Sequence, residues 1–97
     1  MSFNLQFLRG YVEKLLDNQL TNEELGTSHN FFEVLKPAVK NREDAIFGYV
    51  IGFVFGQVNN LFLLVGRKPT QEEIEEISKA FTKRFLEIRS RINETFT

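Results

Sequence analysis

Hydrophobic positions near the N-terminus recur at three- and four-residue steps. Leu5, Leu8, Val12 and Leu16 fall on one stripe, and the charged residues of this segment lie mostly opposite. This spacing is typical of an amphipathic helix with one face turned to a core. It predicts a first helix over residues 3–20.

The second segment, over residues 22–36, has a clear signal for the start of a helix but weak signals for its continuation. Thr21 followed three residues later by Glu24 has the pattern of a capping box, in which the two side chains bind the backbone at the start of a helix. Gly26 weakens the segment, and Pro37 cannot continue a helix. We therefore expect one broken helix or two short ones over residues 22–36.

The central segment, from Ala45 to Gly66, contains no charged residue and no proline. Asn41 before it is a plausible N-cap, and Gly66 suits the residue that follows a helix end. Two strands would need a turn at residues 57–60, which lack the Asn-Gly pair of a strong hairpin signal. The pattern favours a single long helix.

The last segment has the most regular pattern. Pro69 precedes a second capping box, Thr70 with Glu73, and the predicted helix runs to about residue 94. Its apolar residues step by three and four: Ile74, Ile77, Phe81, Phe85, Ile88 and Ile92.

These segments predict one all-α domain over residues 1–97: a four-helix bundle with one broken helix. Only a few residues separate the central helix from the C-terminal helix, so the two should pair antiparallel.

Composition narrows the function mainly by exclusion. The net charge of -1 does not favour a nucleic-acid binder, and the absence of cysteine removes disulfides and thiolate chemistry. Eleven phenylalanines among 97 residues are many, so either the core is unusually aromatic or some of the rings face a partner. The N-terminus lacks the pattern of a signal peptide, and we expect a cytoplasmic protein.

Candidate chemical groups are few, and each has an ordinary structural explanation. His29 with Glu33 has metal-ligand spacing, but a metal site needs more ligands. An acidic cluster fits the first turns of a helix, where negative charge is favourable; its members are Glu72, Glu73, Glu75 and Glu76. A basic strip follows it and fits a solvated helix face; its members are Lys79, Lys83, Arg84, Arg89 and Arg91. With no enzyme motif present, we expect no catalytic residues, no cofactor and no metal.

The most informative feature is a row of glycines at Gly48, Gly52 and Gly56. Four-residue spacing places them on one helix face, which lets a second helix approach the backbone. Three explanations remain open: close packing within the monomer, a homodimer that crosses at the glycines, and a membrane span.

The span would run from Ala45 to Val65, long enough to cross a bilayer. Gln57, Asn59 and Asn60 are costly in hydrocarbon, and the capped amphipathic helices around the segment are those of a soluble bundle. Three helices scarcely cover an apolar one, so we expect a homodimer, with another protein partner as a possibility. The expected interface residues are Gly48, Gly52, Gly56, Phe53, Phe55 and Phe31. Weak nucleic-acid binding through the basic end of the last helix is a further alternative.

Overall fold

The computed structural model describes residues 3–96, and these form a bundle of helices without a strand. The predicted all-α class is confirmed. In chain order the helices are α1 (Leu5–Gln19), α2 (Asn22–Val34), α3 (Arg42–Leu64), α4 (Gln71–Lys83) and α5 (Phe85–Phe96). The described chain measures 44 × 23 × 20 Å along its principal axes.

Helix α1 contributes its predicted stripe to the core. Leu8, Val12 and Leu16 are completely buried. The helix begins at Asn4, whose side chain accepts hydrogen bonds from the backbone N–H groups of Gln6 and Phe7. Gly10 lies on the exposed side, where an added Cβ would meet nothing within 4 Å.

Helix α2 is continuous, so the expected break at Gly26 is wrong. Leu25 and His29, on either side of the glycine, are both buried, and this packing holds the helix together. Within the continuous helix, the hydroxyl of Thr27 donates to the carbonyl of Glu23 at 3.0 Å. The helix ends at Val34, before Pro37, as predicted.

Helix α3 is the predicted central helix and contacts α1, α2 and α5. The side chain of Asn41 accepts from the backbone N–H of Asp44 at 2.9 Å, which caps its start. A single stripe faces the core, with one residue every four: Ile46, Val50, Val54, Val58 and Phe62.

The predicted antiparallel pairing of the central and C-terminal helices is confirmed for α3 and α5. The rings of Phe47 and Phe85 meet at a centroid distance of 5.2 Å. One turn away, Arg89 binds Asp44 with 2.5 Å between Nη1 and Oδ1. Residue numbers rise along α3 as they fall along α5, so the helices run in opposite directions.

The predicted last helix is interrupted at Arg84, so the described chain has five helices instead of four. No glycine or proline causes this break. Arg84 instead binds α1: its guanidinium donates to the carbonyl of Glu13 at 3.2 Å and lies 2.6 Å from the carboxylate of Asp17. The break lets α4 lie along α1, while α5 packs between α2 and α3.

The buried face of α4 differs from the predicted apolar stripe. Glu73 and Glu76 are buried beside Ile77 and Ala80. Ile74 and Phe85 are exposed, and Phe81 is partly so. Two arginines explain the change, since Arg67 pairs with Glu73 and Arg9 with Glu76. The paired acids occupy positions next to α1, and the apolar residues turn toward α3.

Candidate functional site

The glycine row lies on the outer face of α3, opposite the buried stripe. Gly48, Gly52 and Gly56 are all exposed. A Cβ built on any of them would meet no atom outside its own local backbone within 4 Å. The explanation by close packing within the monomer is therefore wrong, because no other helix of the described chain packs against the glycine row.

Aromatic side chains form a ridge on one side of this row. Tyr49 and Phe53 have ring centroids 6.0 Å apart, and the ring of Tyr49 lies 6.3 Å from that of Phe32 on α2. Phe53 is 37% exposed. We call Tyr49 and Phe53 the aromatic ridge.

An apolar groove lies on the other side of the row, between α3 and α4. It has a volume of about 250 Å³. Its walls are Ile51, Gly52, Phe55, Ile74, Ile77, Ser78 and Phe81. The groove exists because α4 follows α1 and turns its Ile74 side toward α3. We call it the α3–α4 groove; Phe55 on its rim is 50% exposed.

A second apolar groove, of about 270 Å³, lies beyond the aromatic ridge, between α2 and α3. It is lined by Thr27, Ser28, Phe31, Phe32 and Tyr49. Phe31 is 59% exposed. The predicted exposure of Phe31, Phe53 and Phe55 is thus confirmed, and their role in an interface stays a prediction.

The C-terminal half of the outer face carries amides followed by leucines. Asn59 and Asn60 are exposed, and so are Leu63 and Leu64 at the helix end. No charged residue lies on α3 beyond Asp44. The outer face of α3 is therefore apolar and uncharged along most of its length, with hydrogen-bonding capacity concentrated at the two asparagines.

The acidic cluster has a structural role. Glu73 is 2% exposed, and its carboxylate accepts hydrogen bonds from Arg67 at 2.8 and 2.9 Å. It also accepts from the backbone N–H of Thr70 at 2.8 Å and that of Phe3 at 3.1 Å. The Arg67 guanidinium, outweighing the effect of burial, lowers the pKa of Glu73 from 4.5 to about 2. This carboxylate fastens the start of the chain to the start of α4.

The three arginines of the basic strip are engaged in similar pairs. Arg84 binds Asp17 and Glu87, and these acids raise its pKa. Arg89 binds Asp44, and its guanidinium lies 4.1 Å from the centre of the Phe47 ring. A further pair joins Arg91 to Glu94. Arginines held by carboxylates have less charge to offer a phosphate backbone.

His29 is a buried residue between α2 and α5. Its Nε2 lies 3.0 Å from the carbonyl oxygen of Ile92, within hydrogen-bond distance. Glu33, its predicted partner in a metal pair, is exposed and binds Lys36 and Arg42 instead. Among the described residues no three His, Asp or Glu side chains are grouped so that they could hold a metal ion.

The sequence pattern missed three residues of this surface: Tyr49, Ile74 and Phe81. Tyr49 follows Gly48 directly, so the glycine row itself could have indicated it. Ile74 and Phe81 belong to the predicted apolar stripe, whose Ile77 is buried. Glu73 and Glu76 take buried positions on α4 that leave Ile74 exposed and Phe81 half-buried, and sequence spacing does not reveal this.

Helix α3 is also long and apolar enough to cross a membrane. The 18-residue window tested has a mean hydropathy of 1.5, and 28% of it is buried within the structure. One such helix is weak evidence, because the core helix of a soluble protein passes the same test.

No protein family, curated protein or solved structure matches the chain.

Proposed function

We propose that this protein acts by self-association, through the outer face of α3. The observation that carries the proposal is the glycine row, which lies open between the aromatic ridge and the α3–α4 groove. A helix backbone that is bare on one side and bordered by apolar side chains suits a second helix at close range.

The glycines have an energetic cost that the monomer does not recover. Three glycines inside a helix cost roughly 2–3 kcal/mol in helix propensity relative to alanine. Within the described chain nothing approaches their exposed side, so no packing offsets this cost. A partner helix in contact with Gly48, Gly52 and Gly56 would supply the packing that offsets this cost.

A second copy is the partner that best fits this face. An uncharged surface can meet itself without like-charge repulsion, whereas a strongly acidic or basic patch cannot. Asn59 and Asn60 each carry both donors and acceptors, so amides from two copies can satisfy each other. A stable dimer buries about 800 Å² per partner, more than one helix face supplies. The exposed apolar residues on both flanks, Phe31 and Ile74 among them, extend the surface.

The direct test is the molar mass of the protein as a function of concentration. We expect sedimentation or light scattering to show a monomer–dimer equilibrium between about 1 µM and 1 mM, which covers association free energies of about 8 to 4 kcal/mol. A monomer mass over the whole range would refute the proposal.

Gly52→Leu tests the surface, with Gly10→Leu as its matched control. Both glycines lie inside helices, and a Cβ added to either meets nothing within 4 Å in the monomer. We expect Gly52→Leu to weaken the dimer at least ~10-fold and Gly10→Leu to leave it unchanged, since contact surfaces do not accept bulk. Equal effects of the two variants would show that the glycine row is not the contact.

Membrane association is the second candidate, favoured by the length and hydropathy of α3. A span over these residues would strip α1, α2 and α5 from the buried stripe and expose their charged faces. Flotation with lipid vesicles separates the two proposals. Recovery of the protein with the vesicles, released only by detergent, would support the span and oppose the soluble dimer.

A further inference from the structure

We infer that the two α3 helices of the dimer run parallel, and that each copy places Phe53 in the α3–α4 groove of the other. This inference rests on the proposed self-association and adds the orientation and the contacts. It follows from the unequal flanks of the glycine row.

The ridge and the groove lie on opposite flanks of Gly52. Successive residues of an α-helix are rotated by about 100°. Seen along the axis, Tyr49 and Phe53 therefore lie on one side of Gly52, and Ile51 and Phe55 on the other. The contacts agree, because Tyr49 packs with Phe32 of α2 while Ile51 and Phe55 line the groove beside α4.

Symmetry decides which flanks meet. When the two-fold axis runs along a helix pair, the helices are parallel and each left flank faces the partner's right flank. When the axis crosses the pair, the helices are antiparallel and like flanks face each other. Only the parallel arrangement brings the aromatic ridge of each copy against the α3–α4 groove of the other. The antiparallel one places ridge beside ridge and α3–α4 groove beside α3–α4 groove.

The asparagines favour the same orientation. Seven residues make nearly two helical turns, so Ala45, Gly52 and Asn59 lie along one line of α3. In a parallel pair Asn59 meets Asn59, and each amide finds a donor and an acceptor. In an antiparallel pair centred on Gly52, Asn59 meets Ala45 and its amide is buried against a methyl group. A buried Asn pair is also a known means of setting register between helices.

Cysteine cross-linking tests the orientation cleanly, because the chain has no cysteine of its own. We would prepare Ala45→Cys and Asn59→Cys, with Asn18→Cys on the exposed side of α1 as control, and oxidise each at a concentration where the dimer predominates. We expect disulfide-linked dimers from Ala45→Cys alone and from Asn59→Cys alone, and little from the control.

The outcomes separate this inference from the proposal beneath it. Cross-links that form only when Ala45→Cys and Asn59→Cys are mixed would show an antiparallel pair and overturn the inference. A dimer mass with no cross-link from either variant or from the mixture would overturn it as well. A monomer mass for the unmodified protein would refute self-association itself.

A double-mutant cycle tests the partner's Phe53 as the occupant of the groove. Phe53→Ala and Ile74→Ala each remove a contact surface, and we expect each to weaken the dimer about tenfold. If the two side chains touch across the interface, the dissociation constant of the double variant's dimer should rise by much less than a hundredfold. A hundredfold rise, the product of the two single effects, would overturn the assignment of Phe53 to the groove. Monomer unfolding of the same variants serves as control.

Discussion

At the scale of single residues, Glu73 shows how a charge contributes to stability from inside the bundle. Its carboxylate joins Arg67, the cap of α4 and the backbone of Phe3. Each oxygen accepts from more than one donor, so the ionised form is strongly favoured. One carboxylate thus connects the α3–α4 loop to both the backbone of Phe3 and the first turn of α4.

We expect Glu73→Gln to lower the free energy of unfolding by about 2 kcal/mol at pH 7, since it removes charge-assisted hydrogen bonds at a buried site. The pKa of Glu73 is lowered from 4.5 to about 2 in the folded protein. Its contribution is therefore full above pH 4.5 and is lost as the pH falls toward 2.

Urea unfolding across that pH range measures this difference, with Glu72→Gln as the control. Glu72 is an exposed acid in the same first turn, and its loss should cost under about 0.5 kcal/mol. A difference between wild type and Glu73→Gln that does not shrink at low pH would contradict the assigned role.

At the scale of helices, the break between α4 and α5 depends on a side chain that bridges to α1. Arg84 is 15% exposed and holds Asp17 and the carbonyl of Glu13. The residues around Arg84 include no glycine or proline, so their helix propensity alone does not end α4.

We expect Arg84→Ala to destabilise the protein by about 1–2 kcal/mol, with the neighbouring exposed Lys83→Ala nearly neutral. Thermal or urea unfolding provides the comparison. In addition, amide hydrogen exchange should show weaker protection where α4 meets α1. Equal stability of the two variants would mean that Arg84 does not hold the break in place.

The glycines of α3 give a prediction in which two properties move in opposite directions. Replacing Gly48, Gly52 and Gly56 together by alanine should stabilise the monomer by roughly 2–3 kcal/mol through helix propensity. The same methyl groups should hold two backbones apart and weaken the dimer. Unfolding of dilute monomer and the dimer dissociation constant measure these separately; a tighter dimer would contradict close contact at the glycines.

At the scale of the whole molecule, the described helices cover only one side of α3. Helices α1, α2 and α5 take one side, and the break at Arg84 leaves α4 on α1 instead of over α3. The uncovered side is apolar and uncharged, while the ion pairs lie elsewhere on the surface.

This separation predicts that self-association responds little to salt. Between about 0.05 and 0.5 M salt, screening weakens charged contacts strongly but leaves apolar contacts nearly unchanged. We expect the dimer dissociation constant to change less than about threefold in sedimentation experiments over that range. A steep loss of dimer with salt would place the contact on the charged faces of α1 and α4 instead.

The sequence by itself determined where the helical segments lie, three of their N-caps and the identity of the central helix. Local rules suffice there: Thr21, Asn41 and Thr70 supply caps that need only their own backbone, and α3 has no charge to place in water. It also located the glycine row, because glycine spacing is visible without a fold, and it named three of the exposed rings, Phe31, Phe53 and Phe55.

Only the tertiary structure decided which way each face turns. Glu73 and Glu76 are buried because Arg67 and Arg9 pair with them. Arg9 lies far away in the sequence and Arg67 lies in the preceding loop, so the spacing of residues within α4 does not predict either pair. Arg84 ends α4 for the same reason, through contacts with α1. The glycines face outward, and so have no packing inside the monomer, because α1, α2 and α5 all pack on the other side of α3. Long-range contacts set these orientations, and they also formed the α3–α4 groove beside the glycine row.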